Sequence, residues 1–320
     1  MSRSSLFSFS DQLDGYIIGN GKTVSAKRVP ATMLAAIDQG RLRNIKSVSI
    51  APCGGWIICY HEDAQGGPDG DNYFGEMVPK PLEQYLEAHA YEDFTNPLHY
   101  VKMGPEDQWF ARRNDTMDWQ LTHPVETSMK KLQRLGIQSS LEEVVFGLDH
   151  TAIFIFTNGS FAWDLPVDSE EHRILQENFA MGTCLEAAAL SLATPGQYYF
   201  FWGQSTATYH IPKSEHASIN DMVQNSVATR MQLRMAQTLM LESTVQNRRA
   251  QLQASGISMR ASTADLADRQ ASVSCDDGFN SRGQVKDRTC VAKILQQFHE
   301  EVQPGPRQGN GNLRTWNAEC

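Results

Sequence analysis

No stretch of this chain strings together the roughly 20 apolar residues that a membrane-spanning helix needs. The opening Met1-Ser2-Arg3-Ser4-Ser5-Leu6 likewise lacks the apolar centre of a secretory leader. Both absences lead to the expectation of a cytoplasmic protein with no membrane insertion. Also missing are a P-loop, a GxGxxG turn after a strand, an HExxH pair, a GxSxG elbow and an EF-hand loop. Without them the common nucleotide, zinc-protease and serine-hydrolase readings fall away, and no cofactor is expected. The six cysteines, Cys53, Cys59, Cys184, Cys275, Cys290 and Cys320, form no CxxC pair and have no histidine at metal-ligand spacing. Reduced thiols and no metal site are therefore expected. Positive charge is scarce in the first two thirds: residues 1–222 hold 16 Lys/Arg against 28 Asp/Glu, net −12, whereas 223–320 hold 12 against 9, net +3. An acidic body disfavours nucleic acid or an anionic membrane as partner.

What the chain does have is an internal repeat. Proline recurs at Pro30, Pro79, Pro124, Pro166 and Pro212, at intervals of 49, 45, 42 and 46 residues. Each proline follows a short run of strand character: Thr23 to Val29, Asn72 to Val78, Thr116 to His123, Ser160 to Leu165 and Ala207 to Ile211. Behind it come apolar residues three and four apart, as in Leu82, Tyr85 and Leu86 or Met129, Leu132 and Leu135, the mark of a helix with one buried face. Ahead of each proline-marked strand lie two more strands joined by a tight turn, for example Gly147-Leu148-Asp149-His150. The fifth pair is expected at Leu185 to Leu192 and Tyr198 to Trp202. A second turn, Thr157-Asn158-Gly159-Ser160, carries the Asn-Gly signature of a type I′ hairpin. In repeat two that turn is swollen to His61 through Asn72, a candidate lid.

Units of 42 to 49 residues cannot bury their own faces, so neighbours must stack. The expected fold is mainly β with helices: five three-strand-plus-helix repeats over residues 1–222, closed into a distorted five-bladed β-propeller-like ring in preference to an open repeat array. An amphipathic helix is expected over 219–254, marked by Met222, Val223, Val227, Met231, Met235 and Leu239. Residues 255–320, rich in Ser, Arg, Asp, Gln and Gly, are expected to be mostly disordered, with helical character only at Val291 to Val302.

Aromatic residues recur in matched places. Trp56 and Trp109 open second strands where Tyr16 and Tyr198 also fall, while Trp163 and Tyr209 share a third-strand place that Trp119 joins if repeat three carries two extra residues. Equivalent placement fits repeated core packing; the functional reading is an aromatic-lined axial pocket for a flat or polyunsaturated apolar ligand. The next residue along differs in every repeat: Arg28, Met77, Gln120, Asp164 and His210. Such divergence in matched places suits one asymmetric site, and solvated surface is the plainer reading of each residue singly. His61, Arg112, Arg113, Asp164 and His210 are the candidate polar groups, at strand ends beside the aromatic positions. His99 and His150 read as turn or strand-edge residues, and His172 and His216 as helix-surface ones.

The order strand, polar turn, second strand, Gly turn and third strand ending in Pro is clearest in repeat four. It runs there from Val144-Val145-Phe146-Gly147 through Phe161-Ala162-Trp163-Asp164-Leu165-Pro166. In this style the chain resembles small fungal propeller-like proteins, among them hetero-Diels-Alderases of tropolonic sesquiterpene (meroterpenoid) biosynthesis. The resemblance spans residues 5–222 and matches no catalytic motif residue by residue. It implies a cofactor-independent enzyme that dehydrates a hydroxymethyl or hemiacetal tropolone to an o-quinone methide and adds it across an alkene of a humulene-type sesquiterpene. By that resemblance His61 or His210 would transfer the proton, Arg112 would polarise the tropolone oxygen, and Trp56, Trp109 and Trp163 would stack on the reactants. The alternative is a propeller lectin or scaffold without catalysis.

Overall fold

A computed structural model describes residues 6–19, 24–38, 45–62, 70–89, 96–114, 116–203 and 206–217, with scattered positions between 219 and 248. Residues 63–69 of the expected lid, most of the expected 219–254 helix and the whole 255–320 tail lie outside the described residues.

The chain is mainly β with helices, and its strands form five three-stranded antiparallel sheets, each in sequence order. The first holds β1 (Leu6–Phe9), β2 (Tyr16–Gly19) and β3 (Val24–Lys27); the second β4 (Ile45–Ile50), β5 (Trp56–Glu62) and β6 (Gly70–Glu76). The third holds β7 (Leu98–Met103), β8 (Trp109–Arg113) and β9 (Met117–Gln120); the fourth β10 (Leu141–Phe146), β11 (Ala152–Phe156) and β12 (Phe161–Asp164). The fifth comprises β13 (Leu185–Leu190), β14 (Tyr198–Trp202) and β15 (Thr206–His210). Helices α1 (Ala31–Asp38), α2 (Lys80–Ala88), α3 (His123–Arg134) and α4 (Glu170–Ala180) follow the first four sheets. After β15 a single 3₁₀ turn, Lys213–Glu215, leads into helical residues.

Five apolar cores lie between successive sheets, so the first and second strands are buried on both faces while β3, β9 and β15 stay partly exposed. One core joins Leu6 and Ile17 of the first sheet, Met33 of α1, and Val48 and Ile58 of the second. Another joins Ile57 and Cys59 of the second sheet, Leu82 and Leu86 of α2, and Val101 and Trp109 of the third. The third and fourth junctions repeat this arrangement around α3 and α4. The fifth core joins the last sheet to the first: Phe7, Tyr16 and Ile18 pack with Tyr199 and Phe201, and Ile211, Ile219 and Val223 stand where the other junctions have a helix. Alternation along a strand explains how one sheet serves two cores, since Ile17 and Ile18 face opposite ways. The first strands contact one another in the cyclic order β1, β4, β7, β10, β13 and back to β1.

The registers correct two turn and alignment expectations. The residue opposite the first position of each second strand is Lys27, Glu76, Gln120, Asp164 and His210. Arg28 and Met77 therefore lie one residue beyond the matched place. They are extra residues, both in the left-handed region (φ 49° and 51°). Their carbonyl oxygens press on the glycines that precede the second strands: a Cβ on Gly15 would lie 2.4 Å from the Arg28 oxygen, and one on Gly55 1.9 Å from that of Met77. Repeat three has two more residues before its proline than repeats four and five, and these three repeats carry Gln108, Thr151 and Gln197 where the first two have glycine. In the Asn158-Gly159 turn only Gly159 has a positive φ, +77°, and Phe156 N–H donates to Ser160 O. A three-residue loop with a left-handed last residue, not a type I′ turn, closes this hairpin. The expected strand to Leu192 ends at Leu190, where the turn begins.

Candidate functional site

The sequence-nominated polar residues are spread over four sheets. Arg112 (β8) donates to Leu141 O and lies 3.8 Å from Glu142 Oε2. Asp164 (β12) accepts from Ser128 Oγ at 3.0 Å. His210 (β15) is exposed, with Nδ1 3.5 Å from Glu170 Oε2 and its ring at the edge of Tyr198. Burial, with the carboxylates of Glu170 and Glu171 adding to it, pushes the Tyr198 phenol up to about 12. His61 pairs with Asp71 in the β5–β6 ladder, and its side chain lies outside the described residues. Arg113, fully buried, donates from Nε to Tyr85 Oη (3.2 Å) and from Nη1 to Asn96 O (3.0 Å), and Tyr85 donates in turn to Asp118 Oδ2 (3.3 Å). Burial raises the Tyr85 phenol above its ordinary value.

The aromatic residues sit in separate inter-sheet cores. Trp56 is fully buried and donates its indole N–H to Thr32 of α1 (3.0 Å), while Trp109 packs against Tyr85 of α2 at 4.7 Å. Trp163 donates to His172 Nδ1 of α4 (3.1 Å). Trp119 and Tyr209 are half-buried at the margins of two further cores. His172 is accordingly buried, not a helix-surface residue, because the buried indole beneath it needs an acceptor. Burial lowers its pKa below the ordinary histidine value.

The side chains that do converge come from the first strands, along the line where these strands meet. Register matches Leu6, Ser47, Tyr100, Glu143 and Ala187 as one set, and Ser8, Ser49, Lys102, Val145 and Ala189 as another. The first set lines a depression of about 280 Å³ and the second one of about 290 Å³, both volumes counting space open to solvent. Lys102 reaches both. Among the residues nominated from sequence whose side chains are described, none lines either depression.

Polar side chains stitch the second sheet to the third and the third to the fourth along this line. Lys102 Nζ donates to Val48 O (3.0 Å), and Met103 N–H to Ser49 Oγ (2.7 Å). Tyr100 donates to Glu143 Oε1 (2.5 Å) and approaches Val144 O (3.3 Å). Lys102 and Glu143 are both buried, 7% and 3% exposed. Ser47 Oγ is buried without a hydrogen-bond partner. Sequence reasoning missed this group by comparing second and third strands only. The signal was present: matched places that are Leu6 and Ala187 in two repeats become Ser47, Tyr100 and Glu143 in the others.

Among the described residues no cluster of three or more His, Cys, Asp or Glu could hold a metal ion, and no helix is long and apolar enough to cross a membrane. No family model matches the chain, and no curated protein does. Among solved structures the chain is similar to the C-terminal domain of gp131 from bacteriophage phiKZ, with a TM-score of 0.31 and 8% identity, over 62% of this chain and 57% of that one. The chain thus spans little more than half of that structure, and a likeness this faint carries no argument about fold or function.

Proposed function

We propose that the chain is a five-bladed, propeller-like ring that works as a scaffold binding module, engaging partners on its surface and not in a central chamber. The cyclic contact of the first strands supports closure of the ring. The observation that carries the functional reading is the narrow space between the first strands: their ten side chains line depressions of about 280 and 290 Å³, both counting space open to solvent. Pockets that enclose even one drug-sized ligand run from about 300 to 1,000 Å³, and a cycloaddition must enclose two reactants. A lectin with one sugar pocket per blade is disfavoured by Lys27, Glu76, Gln120, Asp164 and His210, which differ at the same register.

The second reading is the hetero-Diels-Alderase implied by the sequence resemblance. It draws support from the axial Tyr100, Glu143 and Lys102, which bring acid and base functions together. One assay separates the two. Purified full-length protein is incubated with a hydroxymethyl tropolone precursor and humulenol, and adduct formation is followed by chiral chromatography. The module reading expects the rate and stereochemistry of buffer alone. A faster, stereoselective adduct that is lost in Glu143→Gln would overturn it in favour of the enzyme.

A further inference from the structure

We infer that the axial depression beside Ser47 is a binding site for a small monovalent anion of chloride size. Three observations carry this. Among the described residues that line it, two are lysines, Lys46 and Lys102, against one carboxylate, Glu143. The Ser47 hydroxyl is buried in the same wall with no hydrogen-bond partner, and a buried donor of this kind favours an acceptor brought from outside. The third is size. First-strand side chains from all five sheets close around the space, so an ion of one or a few atoms can enter where a sugar, a nucleotide or a terpene cannot.

Charge decides the sign of the ligand. A cation would face two lysines across a low-dielectric gap, with one carboxylate, already accepting from Tyr100 at 2.5 Å, to set against them. An anion meets the ammonium of Lys102, which keeps its bond to Val48 O, together with the Ser47 hydroxyl as donor. The donors Ser47 and Lys102 come from the second and third sheets, and bound anion would tie these two units together.

The test compares melting of the full chain in sodium chloride with melting in sodium gluconate at equal ionic strength, gluconate being too large to enter. Saturating chloride is expected to raise the melting temperature by about 3 °C over gluconate. Ser47→Ala should reduce the difference and Lys102→Met abolish it. In crystals grown with bromide, an anomalous peak is expected within hydrogen-bonding reach of Lys102 Nζ and Ser47 Oγ. Equal melting in the two salts, or a chloride response unchanged in both variants, overturns the inference. Should Lys102→Met fail to fold, Ser47→Ala and the bromide peak decide it alone.

Discussion

Replacing Glu215 with glutamine tests how the last unit is fastened to the first. Glu215, 6% exposed, stands in the 3₁₀ turn after β15 and takes hydrogen bonds from Lys27 and Tyr16 of the first sheet and from its neighbour Ser214. Lys27 and Ser214 hold its carboxyl below the ordinary value of 4.5. Glutamine keeps the shape, but with one carbonyl oxygen it accepts either from Tyr16 or from Lys27 and Ser214, so the charge and part of the hydrogen bonding are lost together. A fully buried pair broken on one side costs about 3–5 kcal/mol, but the Lys27 side chain is 42% exposed and water screens it. The expected cost at neutral pH is therefore about 1–2 kcal/mol, seen as a fall of about 4 °C in melting temperature. Its pH dependence has a definite sign. A carboxyl with a depressed folded pKa stabilises fully above its unfolded value and loses that contribution as pH falls through the folded one. The gap between wild type and Glu215→Gln should thus be constant at neutral pH and narrow below about pH 4.5. Urea titrations of wild type, Glu215→Gln, Lys27→Met and the double variant would measure it. A coupling energy of zero between the two sites, or a gap unchanged at pH 3.5, would refute the reasoning.

Two further outcomes follow from buried contacts. His172→Leu leaves the Trp163 indole N–H without its acceptor and should cost about 1–3 kcal/mol. Because burial depresses the His172 pKa, wild type should lose stability as pH falls below the ordinary histidine value while the leucine variant does not, which paired urea titrations at pH 7.5 and 5.5 would show. Gly55→Ala forces a Cβ to 1.9 Å from the Met77 carbonyl oxygen and should destabilise by about 3 kcal/mol in chemical denaturation. Deleting Met77 in the same chain should recover part of that loss, since the extra residue is what crowds the glycine.

The strands were legible because their signals are local. Pro30, Pro79, Pro124, Pro166 and Pro212 mark the ends of third strands, and the apolar spacing behind four of them gives α1 to α4. Counting back from proline failed by one residue in repeats one and two, because Arg28 and Met77 are insertions that only pairing reveals. Gly15 and Gly55 were the trace of those insertions in sequence. The aromatic residues were correctly matched with one another, yet register alone does not say whether a matched residue faces a neighbouring sheet or the line where the first strands meet. That depends on which edge of each sheet turns inward, a tertiary property. The first-strand group escaped for the same reason: Ser47, Tyr100, Lys102 and Glu143 lie on strands whose neighbours in the adjoining sheets are 40 or more residues away, as in the 54-residue separation of Lys102 and Val48.

The core that joins the fifth sheet to the first sets an order of events during synthesis. Phe7 stacks on Tyr199 and needs Ile219 and Val223 beside it, partners made about 190 to 215 residues later. At the usual pace of translation, about 5–20 residues per second, the apolar face of the first sheet waits some 10 s or more for its cover. The four middle junctions form between consecutive units and can assemble as they emerge. The newborn protein therefore carries one uncovered apolar face, and the ribosome-bound chain, more than the finished fold, is the form most exposed to misassociation with a second copy of itself.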